Sequence, residues 1–174
     1  MKDLKLKKRV VTFCMLVGFY SLCFGQSNTV WTKFNWLMGE WIGEGSGQPG
    51  QGNGSFTFSY DLDKKILVRK ANTLFPKTEN KPATVHEDLM IIYPDAAGIP
   101  LKAIYFDNEG HTIEYTVVCA DKSITFTSNK IPNVPVFRLT YSLLDNQLIN
   151  TKFEMSRDGE NINTYIEGKS KKVN

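Results

Sequence analysis

Trp36-Leu37-Met38-Gly39-Glu40-Trp41-Ile42-Gly43-Glu44-Gly45 is the stretch where an apolar run at helical spacing gives way to a strand led by tryptophan and punctuated by glycine. Just upstream, Val30, Trp31, Phe34, Leu37 and Met38 recur on one helical face behind Asn28 or Thr29, either of which suits a helix cap. The spacing predicts a short helix over 29–38, ended by Gly39, and a first strand over 40–47. Glycines inside that strand let it bend sharply at the corner of a closed sheet. Trp31, Phe34 and Trp36 stand close enough in sequence to Trp41 for the helix to plug one end of such a sheet.

Downstream, everything reads as strands. Gln48 to Gly54 is a turn rich in Gly and Pro. Phe56, Phe58 and Tyr60 alternate with Thr57 and Ser59, and Asp61 to Lys64 turns the chain into 66–71, a hairpin. The loop from Pro76 to Thr84 is placed at a barrel mouth. Further strands are read over 85–93, 100–107, 111–119, 123–128, 136–144, 147–156 and 161–171, joined by short polar connections. About ten successive antiparallel strands remove their exposed edges most simply by closing. The expected fold is therefore all-β: a closed or nearly closed up-and-down antiparallel barrel with a short N-terminal helix plugging one end.

Outward from this domain the N-terminus has a different character. Lys2, Lys5, Lys7, Lys8 and Arg9 precede an apolar run from Val10 to Phe24 and a small-residue exit, Gly25-Gln26-Ser27. That is the three-part pattern of a secretory signal peptide, 1–25, cut before Gln26. The run is shorter than the roughly 20 residues that span a bilayer, so the mature chain is expected to have no transmembrane segment. Cys23 is not read as a lipidation site, because Leu22 stands where a small residue is wanted. Residues 26–174 are read as one domain, exported to a periplasm or secreted.

Removing the leader changes the charge. It takes five of the 21 Lys and Arg and one of the 18 Asp and Glu, leaving 16 against 17. A near-neutral domain carries no electrostatic footprint for nucleic acid. Cys14 and Cys23 leave with the leader, and Cys119, without a partner for an internal disulfide, reads as a buried strand residue.

Chemistry is sparse. The only histidines are His86 and His111, and the usual zinc spacings are absent. In a strand His86 and Asp88 face one way and Glu87 the other, so these three do not converge alone. There is no Gly-x-Ser-x-Gly elbow, and the glycines over 43–54 lack the Lys-Ser/Thr of a phosphate loop. Asp107 and Glu109 flank a turn, where acidic residues satisfy backbone amides or meet solvent. More informative are Arg69 and Arg138, each inside an apolar strand; turned inward, either needs a carboxylate from the chain or from a ligand. Alternation with Phe137, Leu139 and Tyr141 turns Arg138 outward when those three pack inward. The candidate ligand contacts are Arg69, His86, Asp88, Tyr105, Tyr115, Arg138 and Tyr165. His86 and His111 are the candidate acid or base of an enzyme.

Gly39-Glu40-Trp41 after a short helix resembles the Gly-x-Trp opening of lipocalins. Residues 37–45 are similar to the opening of nitrobindin-like haem-binding barrels and of uncharacterised bacterial lipocalin-like domains, and Tyr105-Phe106-Asp107-Asn108-Glu109-Gly110 resembles a hairpin of the latter. The resemblance extends over residues 29–172 and implies a calycin-type barrel that holds a small, largely apolar molecule. Nitrobindin-like proteins bind haem through a His on the last strand. Here Tyr165 stands at or near that place and no His follows His111, so haem is not expected and no cofactor or metal is assigned. Fatty-acid-binding barrels hold a carboxylate with Arg and Tyr on late strands; Arg138 and Tyr141 are present but at opposite parity. The functional expectation is a barrel binding a small hydrophobic or amphipathic ligand. The alternatives are a barrel enzyme acting on a lipid-like or aromatic substrate through a His, and a filled-core interaction protein.

Overall fold

The computed structural model describes residues 31–45, 53–95 and 101–173. The leader and residues 29 and 30 of the expected helix lie outside them. Ten strands follow one another: β1 Gly39–Gly43, β2 Asn53–Asp61, β3 Ile66–Phe75, β4 Thr84–Pro94, β5 Leu101–Asp107, β6 Thr112–Cys119, β7 Ser123–Ser128, β8 Val136–Asp145, β9 Leu148–Ser156 and β10 Asn163–Lys172. Each pairs antiparallel with the next, and β10 returns to β1, closing the barrel. The expected all-β up-and-down barrel is observed.

The expected helix over 29–38 is reduced, among the described residues, to a 3-10 turn at Thr32–Phe34 and one further turn. The Phe34 amide donates to Trp31 O at 2.9 Å and the Leu37 amide to Phe34 O at 2.8 Å. Bonds of that span put residues three apart on one side, and Trp31, Phe34 and Leu37 are three apart. All three are buried in the core. The apolar spacing thus serves two tight turns rather than an α-helix.

These turns seal one end of the barrel. Trp31 Nε1 donates to Lys64 O in the β2–β3 turn and Trp41 Nε1 to Leu37 O, both at 2.8 Å. Lys33 reaches Asp121 in the β6–β7 turn. Both strand turns lie at the same end, because every even-numbered strand finishes there. Leu62, Asp63 and Lys64 have φ of 47°, 52° and 60°, a left-handed excursion that is unfavourable for residues with a Cβ. Trp31 holds its last carbonyl, and Asp61 Oδ1 accepts from the Leu62 amide.

Register fixes which residues point inward. Phe58 pairs with Arg69, Arg69 with Met90, Met90 with Tyr105 and Tyr105 with Ile113. Fully buried Trp41, Leu67, Ile92, Ile124 and Ile149 fill the closed end. Tyr141 crosses the middle: its ring lies 5.4 Å from those of both Phe56 and Phe58 and 6.2 Å from that of Phe126. No helix among the described residues is long and apolar enough to cross a membrane.

Candidate functional site

Above the Tyr141 layer the same inward register continues, but burial does not. Tyr105, Ile113, Phe137, Phe153 and Met155 are half-buried, and Ile166 is 50% exposed. A Cβ placed on Gly168, inward by its pairing with Thr151, would meet nothing within 4 Å among the described residues. The open end is therefore a bowl whose floor is the Tyr141 layer.

Its two walls differ. β8 and β9 contribute Phe137 and Phe153, stacked at 5.9 Å with 9° between their planes; Tyr165 meets Phe153 edge-on at 6.3 Å. β3 to β5 contribute the polar wall. Arg69, 8% exposed, pairs with Asp88 Oδ1 and lies 5.5 Å from the Phe56 ring and 6.0 Å from the Tyr141 ring. His86 Nδ1 stands 3.0 Å from Glu109 Oε1, and Nε2 stands 3.1 Å from the Tyr105 hydroxyl. That hydroxyl donates to Asp107 Oδ2 at 3.2 Å. Asp107 also accepts from the Glu109 and His111 amides at 3.0 and 2.9 Å, and its Oδ2 meets His111 Nδ1 at 2.8 Å.

One continuous chain thus runs from Glu109 through His86, Tyr105 and Asp107 to His111. β4 and β5 produce it because Asp88 and Asp107 are directly paired inward positions, with His86 and Tyr105 two residues from each.

The electrostatics follow from burial and neighbours. Burial acts to raise the Asp107 pKa, but the His111 amide and ring and the Glu109 amide outweigh it, so the carboxyl titrates below its ordinary range. Burial, then the Asp88 and Asp107 charges, push the Tyr105 phenol far above its usual value. Burial raises Tyr115 likewise, and takes Tyr141 up to about 12 against the pull of Arg69. All three phenols stay protonated at neutral pH. Tyr141 lies close enough to feel the Arg69 charge, yet neither its hydroxyl nor Arg69 Nε completes a hydrogen bond, and Thr151 Oγ1 also goes without.

Of the residues singled out in the sequence, Arg69, His86, Asp88 and Tyr105 come together on this wall. Tyr115 lies in the packed layer beneath, edge-on to Phe126. Arg138 lies outside: Phe137, Leu139 and Tyr141 do pack inward, and its Nε donates to Glu154 Oε2 at 2.7 Å on the outer face. Tyr165, 70% exposed, sits at a bulge in β10 on the rim. His111 is on the rim and reaches the bowl only through Asp107. Asp107 is the residue that turn chemistry hid. It satisfies turn amides as expected, but it also shares the inward parity of Tyr105, two positions before it.

No group of His, Cys, Asp and Glu among the described residues is arranged to hold a metal ion. A shallow groove of about 550 Å³ is lined by outward residues such as Thr57, Lys70, Glu87 and Leu89 together with Phe56, Ala71, Asp88 and Asp107 of the inward rows.

No protein-family model matches the sequence, and no curated protein matches it. Nine chains of solved structures do match. One is Rv2717c from M. tuberculosis, with a TM-score of 0.56 and 11% identity over 84% of this chain and 98% of that one. At that identity the likeness establishes the shared barrel fold alone.

Proposed function

We propose that this barrel binds a small amphipathic molecule in its open half. One observation carries the reading: inward positions that are fully buried at the closed end become half-exposed at the open end, aromatic on one wall and charged on the other. Binding sites for small molecules are mostly apolar concavities with a few convergent polar groups, and this bowl has that composition. The likeness of the opening to lipocalin-like and nitrobindin-like barrels supports it. The leader supports export, so we place the binding step outside the cytoplasm.

The test is uptake of the neutral dye N-phenyl-1-naphthylamine. Saturable one-to-one fluorescence enhancement is expected. Gly168→Phe, which fills the empty space beside Thr151, is expected to abolish it while leaving the circular dichroism spectrum unchanged. Absence of enhancement in the wild-type protein, or full enhancement in Gly168→Phe, contradicts the reading.

A second reading, an enzyme, is favoured by the suspension of His86 between Glu109 and Tyr105, a histidine oriented by a carboxylate within reach of a phenol. A turnover found by activity screening that His86→Ala abolishes and Arg138→Ala leaves intact supports it. Equal turnover in both variants removes it.

A further inference from the structure

The charge of the bowl is uneven, and the imbalance has a sign. Among the described residues, the inward positions of the ten strands carry, besides tyrosines and Cys119, five ionisable side chains: Arg69, His86, Asp88, Asp107 and Lys172. Lys172 belongs to the closed end, where its Nζ lies 5.3 Å from the Trp41 ring centre. The bowl is left with one guanidinium and the His86 imidazole against two carboxylates, whose side chains are only 8% and 4% exposed. Glu109 adds a third carboxylate at the rim. The negative field is felt at Tyr105, where both aspartates act to raise the phenol pKa and Arg69 alone opposes them.

The two aspartates are not equivalent. Asp107 has both oxygens engaged, with four donors between them. Asp88 gives Oδ1 to Arg69, but its Oδ2 accepts no hydrogen bond from the described residues. His86 Nε2 stands 3.8 Å from it, beyond hydrogen-bond reach, and is occupied with Tyr105. Asp88 is only partly buried as a residue, so this oxygen is open to a donor that enters the bowl. Beneath it, Arg69 Nε and the Tyr141 hydroxyl are buried without a hydrogen-bond partner among the described residues, so the polar floor is incomplete.

We infer that the polar end of the bound molecule is a protonated amine, seated on Asp88 Oδ2 beside Tyr105, with an aromatic or aliphatic body against Phe137 and Phe153. This rests on the ligand-binding reading above and specifies its ligand class. The ammonium supplies the missing donor and offsets the excess negative charge, and the nearby Phe56 and Tyr105 rings favour a cation. A carboxylate head is disfavoured: the only guanidinium among the described residues of the bowl is already paired with Asp88, so a further anion adds to the charge of Asp88, Asp107 and Glu109.

Three molecules with one aromatic body separate the possibilities: tryptamine, tryptophol and indole-3-acetate, carrying ammonium, hydroxyl and carboxylate heads. Calorimetric titration of the purified protein at neutral pH is expected to rank them in that order, tryptamine tighter than indole-3-acetate by at least about tenfold, or roughly 1.4 kcal/mol. The preference is expected to collapse in Asp88→Asn. The double variant Arg69→Met with Asp88→Asn, which removes the buried charges together, covers the case in which the single variant does not fold. Indole-3-acetate binding as tightly as tryptamine, or a preference that survives in the double variant, overturns the amine assignment while leaving the binding bowl standing. Failure of all three to bind, together with failure of the neutral dye, overturns the bowl itself.

Discussion

At the closed end Trp41, Leu67, Ile92, Val117, Ile124 and Ile149 turn inward, all six buried and apolar, with Lys172 over the Trp41 ring. At the open end the same strands turn His86, Asp88, Tyr105, Ile113, Phe137 and Phe153 inward, and their surroundings are half solvent. The two regions share strands, register and hydrogen-bonded ladders, so the difference lies in the side chains alone. One half converts buried area into stability. The other leaves apolar surface exposed and, at its floor, buried polar atoms unpaired, which is stability forgone. Tyr141 and Arg69 mark the boundary: the ring belongs to the packed layer, and the guanidinium faces Asp88 above it.

Substitutions on either side of that boundary are the sharpest way to break the comparison. Trp41→Ala is expected to cost about 3–5 kcal/mol, the usual penalty for emptying a well-packed aromatic site. Asp88→Ala is expected to cost about 3–5 kcal/mol as well, because it strands Arg69 as a buried unpaired cation. Replacing Arg69 and Asp88 together by Met and Leu is expected to recover most of that loss. Phe153→Ala, in the open half, is expected to cost only about 1 kcal/mol, in proportion to its partial burial, while weakening dye binding. Denaturant midpoints check all of these, and equal losses for Trp41→Ala and Phe153→Ala erase the distinction between the halves.

Arg138→Ala sharpens the comparison from outside the barrel. Its pair with Glu154 is on the outer face and partly exposed, so the expected loss is about 0–1 kcal/mol, with dye binding unchanged. A variant that loses binding contradicts the outward placement.

The smallest effect is one of pH. The folded-state pKa of Asp107 is depressed, so its contribution is fully present above the unfolded value of about 4 and is lost as pH falls through the lower folded value. Acid titration of stability is expected to be shallower in Asp107→Asn than in the wild type over that window. An identical acid limb removes Asp107 from the set of carboxylates that couple folding to pH.

The barrel was legible because its evidence is local and repeated: alternation, short polar turns and a glycine-punctuated opening. The end-plug was legible in its apolar residues but not in its geometry, since a spacing of three fits successive tight turns as well as it fits one face of a short helix. In the site, Arg69, His86 and Asp88 were visible as polar residues in apolar strands, and the parity that unites His86 with Asp88 could be read directly. Asp107 was not visible, because membership of a turn and of an inward face look alike until the β4–β5 register is known. Arg138 shows the same dependence in reverse: its outward direction followed from Phe137, Leu139 and Tyr141, once those were known to be core. The bowl itself had no sequence signal, because half-buried and fully buried phenylalanines are written with the same letter.

The most direct test is methyl-resolved NMR of the labelled protein titrated with tryptophol, the uncharged member of the indole series. The methyls of Ile113, Met155 and Ile166 in the open half are expected to shift and saturate together, while those of Ile92, Ile124 and Ile149 at the closed end stay in place. Shifts spread equally over both groups, or none in either, contradict a barrel divided into a packed half and a binding half.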